Sequence, residues 1–257
     1  VAIAAIQKKS STAHRSGRLR LFILACVALL PSFLKRPAYR LFFGYKIGKR
    51  VHIGLTLLDA RHCVLQDDVR IGHCNLILSV SELEAGDHAR IGHFNILRGG
   101  DRIELGRYSE IIRFNVINSI IDPELDPKSL TSADPRFLLG AGSIVVSGHR
   151  VDFTDRVEIG RRTILGGRNS SIWTHNRQST EPVRIGSLAY VGSEIRISPG
   201  GEIPSRAIVG IGSVIVGRLE GADCLFAGVP AKPVRQLDEK DISLIEYKTR
   251  ADLPENL

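Results

Sequence analysis

Four polar side chains in the middle of the chain are spaced for proton chemistry. His149 and His175 each lie ten residues before an Ile-Gly pair, Ile159-Gly160 and Ile185-Gly186. Asp152 and Asp155 follow His149 closely, and Trp173, the one tryptophan, stands two residues before His175. An imidazole titrates near pH 6.5, so it can take up or release a proton at working pH. The carboxylates could orient such a ring or grip hydroxyls, or they could only cap turns. Trp173 could wall a binding site or simply pack.

Other histidines invite a metal reading. His52, His88 and His93 are spaced 36 and 5 residues apart, and three convergent imidazoles make a zinc site. They fall, however, at different phases relative to their Ile-Gly neighbours. His93 instead matches His73, as IGHFN matches IGHCN. We expect turn-column histidines there and no metal.

The elements that hold these side chains follow from a repeat. Ile185, Val191, Ile197, Ile203, Val209 and Ile215 stand six residues apart, with small or aliphatic residues two places before each. A helix places side chains on one face every three to four residues and would smear this period. A triangular coil explains it: each side is a short strand, each corner a turn, and three sixes make one circuit. Ile47, Ile53, Leu65, Ile71, Ile77 and Leu83 show the same ladder, interrupted at Asp59. A longer repeat lies over it, with Asn75, Asn95 and Asn115 spaced 20 apart. This predicts an 18-residue coil with two extra residues at one corner, and an asparagine ladder bonded coil to coil. Such coils bury their aliphatics only against neighbours, so open ends need caps. Two stretches break the period: residues 119–139, rich in Asp-Pro turns, and the loop 174–182. Loops thrown out of a rigid scaffold commonly carry function.

Charge is uneven. Residues 1–50 contain eleven Lys or Arg and no acid, whereas the rest carries 24 basic and 27 acidic side chains. The basic segment also holds the longest apolar run, Leu21–Leu30, which favours an anionic membrane surface over nucleic acid as its partner. That run is too short to span a bilayer, which takes about 20 residues. Residues 1–45 therefore read as short interfacial helices, a solenoid cap, or a cleaved signal. The four cysteines, Cys26, Cys63, Cys74 and Cys224, form no CxxC pair and suit reduced thiols in the cytoplasm. Residues 46–236 read as the coil domain and 237–257 as a helical tail.

From Gly148 to Leu237 the sequence runs through TILGGRNSSIWTHNRQSTEPVRIG, YVGS and GVPAKPVR. In these phrases it resembles the hexapeptide-repeat acyltransferases, in particular the maltose and galactoside O-acetyltransferases and related enzymes of capsule and O-antigen clusters. The resemblance covers residues 140–236; earlier coils match only as repeats. It implies an all-β fold, a left-handed parallel β-helix, and transfer of an acetyl or similar acyl group from acyl-coenzyme A to a sugar hydroxyl. It implies His175 as general base and the Ser193 N–H as oxyanion donor. His149 stands where the family tends to have Asn, and it is a second candidate for acid–base work or acceptor binding. Asp152, Asp155, Trp173 and Tyr190 are the acceptor-side candidates. Gly210, Gly212 and Ser213 would lie along pantetheine, with Lys232, Arg235 and Arg218 toward the phosphates of acetyl-CoA. The family forms homotrimers, which makes a shared site and a carbohydrate acceptor the expectation, in the cytoplasm or at the inner face of its membrane. Two rivals follow from the same fold: a metalloenzyme like the γ-class carbonic anhydrases, and a non-catalytic scaffold.

Overall fold

The computed structural model describes residues 17–119, 133–248 and 250–252. The chain forms a left-handed parallel β-helix with three flat faces, strands stacking in register from coil to coil. The first face runs from Lys46–Ile47 through Arg102–Leu105, Arg136–Leu139 and Val157–Ile159 to Glu202–Ile203. The second runs from His52–Ile53 through Arg90–His93, Ile144–Ser147 and Tyr190–Val191 to Ala207–Val209. The third runs from the front half of Thr56–Leu65 through Val116–Asn118, Arg150–Asp152 and Ser171–Ile172 to Val214–Ile215.

The six-residue anchors point inward. Ile53, Ile71, Ile91, Ile111, Val145, Leu165, Val191 and Val209 stack up the second face, each at most 1% exposed. Asp59 interrupts the sequence ladder because Leu58, one residue earlier, takes the anchor position, and the register shifts between Leu58 and Ala60. The two extra residues of the longer coils fall at the corner from third face to first. The excursion after Asn118 and the loop after Trp173 leave at that same corner. Most of the excursion, 120–132, lies outside the described residues. Its expected end is too long: Arg136–Leu139 is already strand, with Phe137 opposite Ile103 and Val157.

The asparagine ladder is present and longer than its three asparagines. Asn75 Oδ1 accepts the Asn95 N–H at 2.9 Å, and Asn95 Oδ1 accepts the Asn115 N–H at 3.0 Å. The column continues through His149 and Ser170 to the Ile195 N–H. Each member satisfies a buried backbone donor at the turn of the next coil, where water cannot.

The basic N-terminal segment folds as two helices, α1 (Arg18–Leu29) and α2 (Ser32–Phe43), across the open end of the solenoid. The first coil has no coil beneath it to donate to its carbonyls, and cationic side chains serve instead. Lys35 Nζ, buried, donates to Ile53 O at 3.2 Å and Gly54 O at 2.6 Å. Arg36 donates to Gly48 O, Arg40 to Ile47 O, and Arg20 to Ala60 O and Asp59. At the other end the strands Cys224–Gly228 and Ala231–Gln236 form an antiparallel hairpin that closes the second face. The tail then forms α3 (Glu239–Ile245), started by the reciprocal Asp238–Asp241 capping box.

Candidate active site

The corner from third face to first gathers most of the polar chemistry. Trp173 to Glu181 leave it as a tight hairpin that closes on itself. The Asn176 N–H donates to Ser179 O at 3.0 Å, and Asn176 Oδ1 accepts the N–H groups of Gln178 and Ser179. The Glu181 N–H returns to Thr174 O at 2.8 Å. This holds Thr174 fully buried at the root, with His175 beside it and 18% of the His175 side chain still exposed.

One coil below, Asp152 ends a third-face strand and points its carboxylate at this root. Oδ1 accepts the Thr154 hydroxyl at 2.7 Å and the Thr154 N–H at 3.2 Å. Oδ2 accepts the Thr174 N–H at 3.1 Å, the Thr174 hydroxyl at 2.9 Å and, at 2.6 Å, the His175 ring through Nδ1. A carboxylate has no proton to give back, so Nδ1 carries the hydrogen of this bond and Nε2 keeps its lone pair. The result is an imidazole locked in one tautomer and one orientation, with its basic nitrogen opposite the locked edge. Geometrically this is a base with its orienting carboxylate. Thr154 and Thr174, which fix the carboxylate, were not picked out from sequence. Their only signal is that they flank Asp152 and His175.

The other candidates divide. Asp155 is committed to backbone: Oδ1 accepts the Arg156 N–H at 2.7 Å and the Asp134 N–H at 3.1 Å. These two bonds anchor the chain's return from the excursion. Trp173 is 43% exposed at the mouth of the loop. His149 is fully buried inside the solenoid, its N–H donating to Asn115 Oδ1 at 2.9 Å and its Nδ1 accepting the Ser170 N–H at 3.2 Å. Desolvation pushes its pKa down to about 4. It is a neutral member of the ladder, standing in for asparagine, and not a base open to substrate.

The cofactor-side candidates lie at a different corner, from second face to third. Ser193 and Gly212 stack there, the Gly212 N–H donating to Ser193 O at 3.0 Å. The Ser193 N–H donates to no acceptor among the described residues. Gly212 has φ +73 and open space where a side chain would stand. Tyr190 lies half-buried on the second face just before this corner. Three candidates are otherwise engaged. A Cβ on Gly210 would meet Ala227 Cβ at 3.2 Å, so the glycine makes room for the terminal hairpin. Ser213 is buried, donating to Gly210 O at 2.6 Å and accepting the Gly228 N–H at 3.2 Å. Arg235 is paired with Asp241. Lys232 is exposed on the hairpin, opposite Ala227. Arg218 lines a cavity of about 320 Å³ with Glu202 and Glu220, at neither of these positions.

The metal-type histidines are spread over the coil. His73 and His93 stack at 5.5 Å, and each Nδ1 accepts a backbone N–H of the coil below. His88 stacks on Tyr108 at 4.5 Å at another corner. Among the described residues no group of three His, Cys, Asp or Glu converges as a metal site.

Comparison with known proteins agrees with the motif resemblance. No family model matches the chain. It is 26% identical over 101 residues to galactoside O-acetyltransferase of Escherichia coli (strain K12), covering 38% of this chain and 49% of that enzyme. The chain thus matches about half the length of this curated relative. In fold it is similar to UDP-N-acetylglucosamine acyltransferase from Campylobacter jejuni, with TM-score 0.51 and 16% identity over 79% of this chain and 77% of that one. A hexapeptide transferase family protein from Anaplasma phagocytophilum superimposes with TM-score 0.47 and 18% identity, over 63% of this chain and 84% of that one.

Proposed function

We propose that this hexapeptide-repeat chain is an acyltransferase that moves an acetyl or similar acyl group from acyl-coenzyme A to a hydroxyl of a sugar or polysaccharide precursor. The observation that carries the reading is the His175–Asp152 bond at 2.6 Å, with the carboxylate held by both groups of Thr174. The similarity to an O-acetyltransferase supports the choice of reaction.

In this reading the acceptor hydroxyl donates to His175 Nε2. As the proton moves, the oxygen attacks the thioester carbonyl and a tetrahedral oxyanion forms. The uncommitted N–H of Ser193 is the donor for that oxyanion. Collapse breaks the C–S bond, and the thiolate takes the proton back from the imidazolium. The ester and free coenzyme A leave, with no covalent enzyme intermediate. The Asp152 carboxylate stabilises the imidazolium between the two proton transfers. Trp173 and Tyr190 are the acceptor-side walls, Gly212 lets the donor approach backbone, and Lys232 meets its phosphates. The enzyme is a homotrimer, and it works where acyl-coenzyme A is found, in the cytoplasm.

Thiol release from acetyl-coenzyme A, followed with a panel of sugar acceptors, tests this directly. His175→Ala should lower kcat by about 10²–10⁴, the usual share of a general base. A variant that folds and keeps wild-type turnover would remove the assigned base and the proposal with it.

A further inference from the structure

The cap has two faces, and only one is used by the solenoid. Its inward face holds Leu24, Val27, Ala38 and Tyr39, all buried, and the cations that satisfy the first coil's carbonyls. Its outward face is apolar. Leu19, Phe22, Leu29, Phe33, Leu41 and Phe42 are between 62% and 80% exposed. Isolated exposed apolar residues are ordinary, but six large ones on two adjacent helices form a patch of the kind that marks an interaction site. No described helix is long and apolar enough to cross a bilayer.

What covers the patch is decided by charge. The first fifty residues carry eleven Lys or Arg and no Asp or Glu. Arg20, Lys35, Arg36 and Arg40 face the solenoid and Arg50 pairs with Asp68, which leaves Arg18, Lys46 and Lys49 exposed around the cap. A second copy of the cap would bring two such cationic rims together, and neither α1 nor α2 carries an acid to pair across the contact. An anionic lipid surface offers both a place for the phenylalanines and a counter-charge for the rim. We infer that the outward face of α1 and α2 is a docking surface for a membrane of anionic lipids.

The geometry then sets a distance. His175 follows the strand Ser171–Ile172, five strand spacings above the first coil along the third-face stacking order. At about 4.8 Å per spacing, roughly 24 Å of solenoid separates the cap from that loop. Resting on the acyl-transfer reading, this selects a lipid-linked glycan whose reactive sugar stands well out from the headgroup.

Vesicle co-sedimentation tests the docking without any activity measurement. The full chain should sediment with vesicles of phosphatidylcholine mixed with phosphatidylglycerol, and tenfold or more weakly with phosphatidylcholine alone. The exposed triple variant F22S/F33S/F42S should lose binding at least tenfold while keeping its thermal transition. Equal binding to both vesicles, or no binding to either, would overturn the proposal. So would sedimentation velocity showing that the same three substitutions convert a larger oligomer to a smaller one, since the patch would then join copies of the chain.

Discussion

Replacing His149 by asparagine separates the ladder from the corner that carries His175. In the wild type the His149 Nδ1 lone pair accepts the buried Ser170 N–H at 3.2 Å. Protonating the ring removes that acceptor and places a cation inside the solenoid, which is why burial holds its pKa at about 4. The unfolded chain binds this proton near pH 6.5, the folded chain only near pH 4. Between those values the unfolded state binds more protons, so stability rises with pH. The contribution is therefore fully present above pH 6.5 and is lost as pH falls toward 4. A depression from 6.5 to about 4 corresponds to ~3 kcal/mol. For a chain of this size that is roughly 10 °C in Tm.

Asparagine offers an amide oxygen for the Ser170 N–H and does not titrate. H149N should match wild-type stability at pH 7.5 within ~1 kcal/mol and lack this part of the acid-side loss. Thermal unfolding of both proteins from pH 7.5 to pH 4.5 measures the difference. Thiol release at pH 7.5 completes the test, since a ladder residue should leave turnover within about threefold while a base would cost 10²-fold or more. Parallel pH profiles for the two proteins would refute the burial argument. A collapse of turnover in well-folded H149N would refute the assignment of His149 to the ladder.

Two further predictions follow. Asp152→Asn puts an amide where every neighbouring contact is a donor; the Thr174 N–H cannot turn away, so His175 loses its fixed tautomer. Thiol release should fall by about 10²–10⁴ in kcat with KM nearly unchanged, and a KM effect alone would assign Asp152 to acceptor binding. Asn95→Ala leaves the buried Asn115 N–H without its 3.0 Å acceptor; urea unfolding should show a loss of about 1–3 kcal/mol, and a neutral result would mean the ladder is not what holds that corner.

The six-residue period was readable because a β-strand alternates faces, so inward positions recur with each side of the triangle. What escaped was whatever the period no longer reached. Asn75, Asn95 and Asn115 announce a 20-residue column, but the excursion inserts extra chain before the next member, and His149 falls 34 residues on. Its chemistry then drew attention as a base, although its place on the third face makes it the fourth rung. The neighbours of Gly210, Ser213 and Arg235 were hidden for a related reason. The terminal hairpin reverses direction and brings Ala227, Gly228 and Asp241 onto them, and a contact of that kind has no repeat to announce it. Lys35 shows a third limit. An amphipathic pattern tells which face of a helix is polar, but not that edge carbonyls would draw a lysine inward.

The two corners also bear on how a site could be completed. His175 stands at the corner from third face to first, and Ser193 at the corner from second face to third. A face about five residues wide lies between these corners, roughly 16 Å of extended strand. A base and an oxyanion donor must both come within about 3 Å of the same reacting centre. One chain cannot meet that condition with these two groups, because the solenoid between them is packed solid with Leu97, Ile117, Val151, Ile172 and Ile197. A neighbouring chain can, if its corner carrying Ser193 sits against this chain's corner carrying His175. That contact joins unlike surfaces, and unlike contacts close only as a ring. The acyl-transfer reading and the homotrimer are thus one hypothesis: with Ser193 as donor, an isolated chain of this fold would hold a positioned base and nothing for it to act upon.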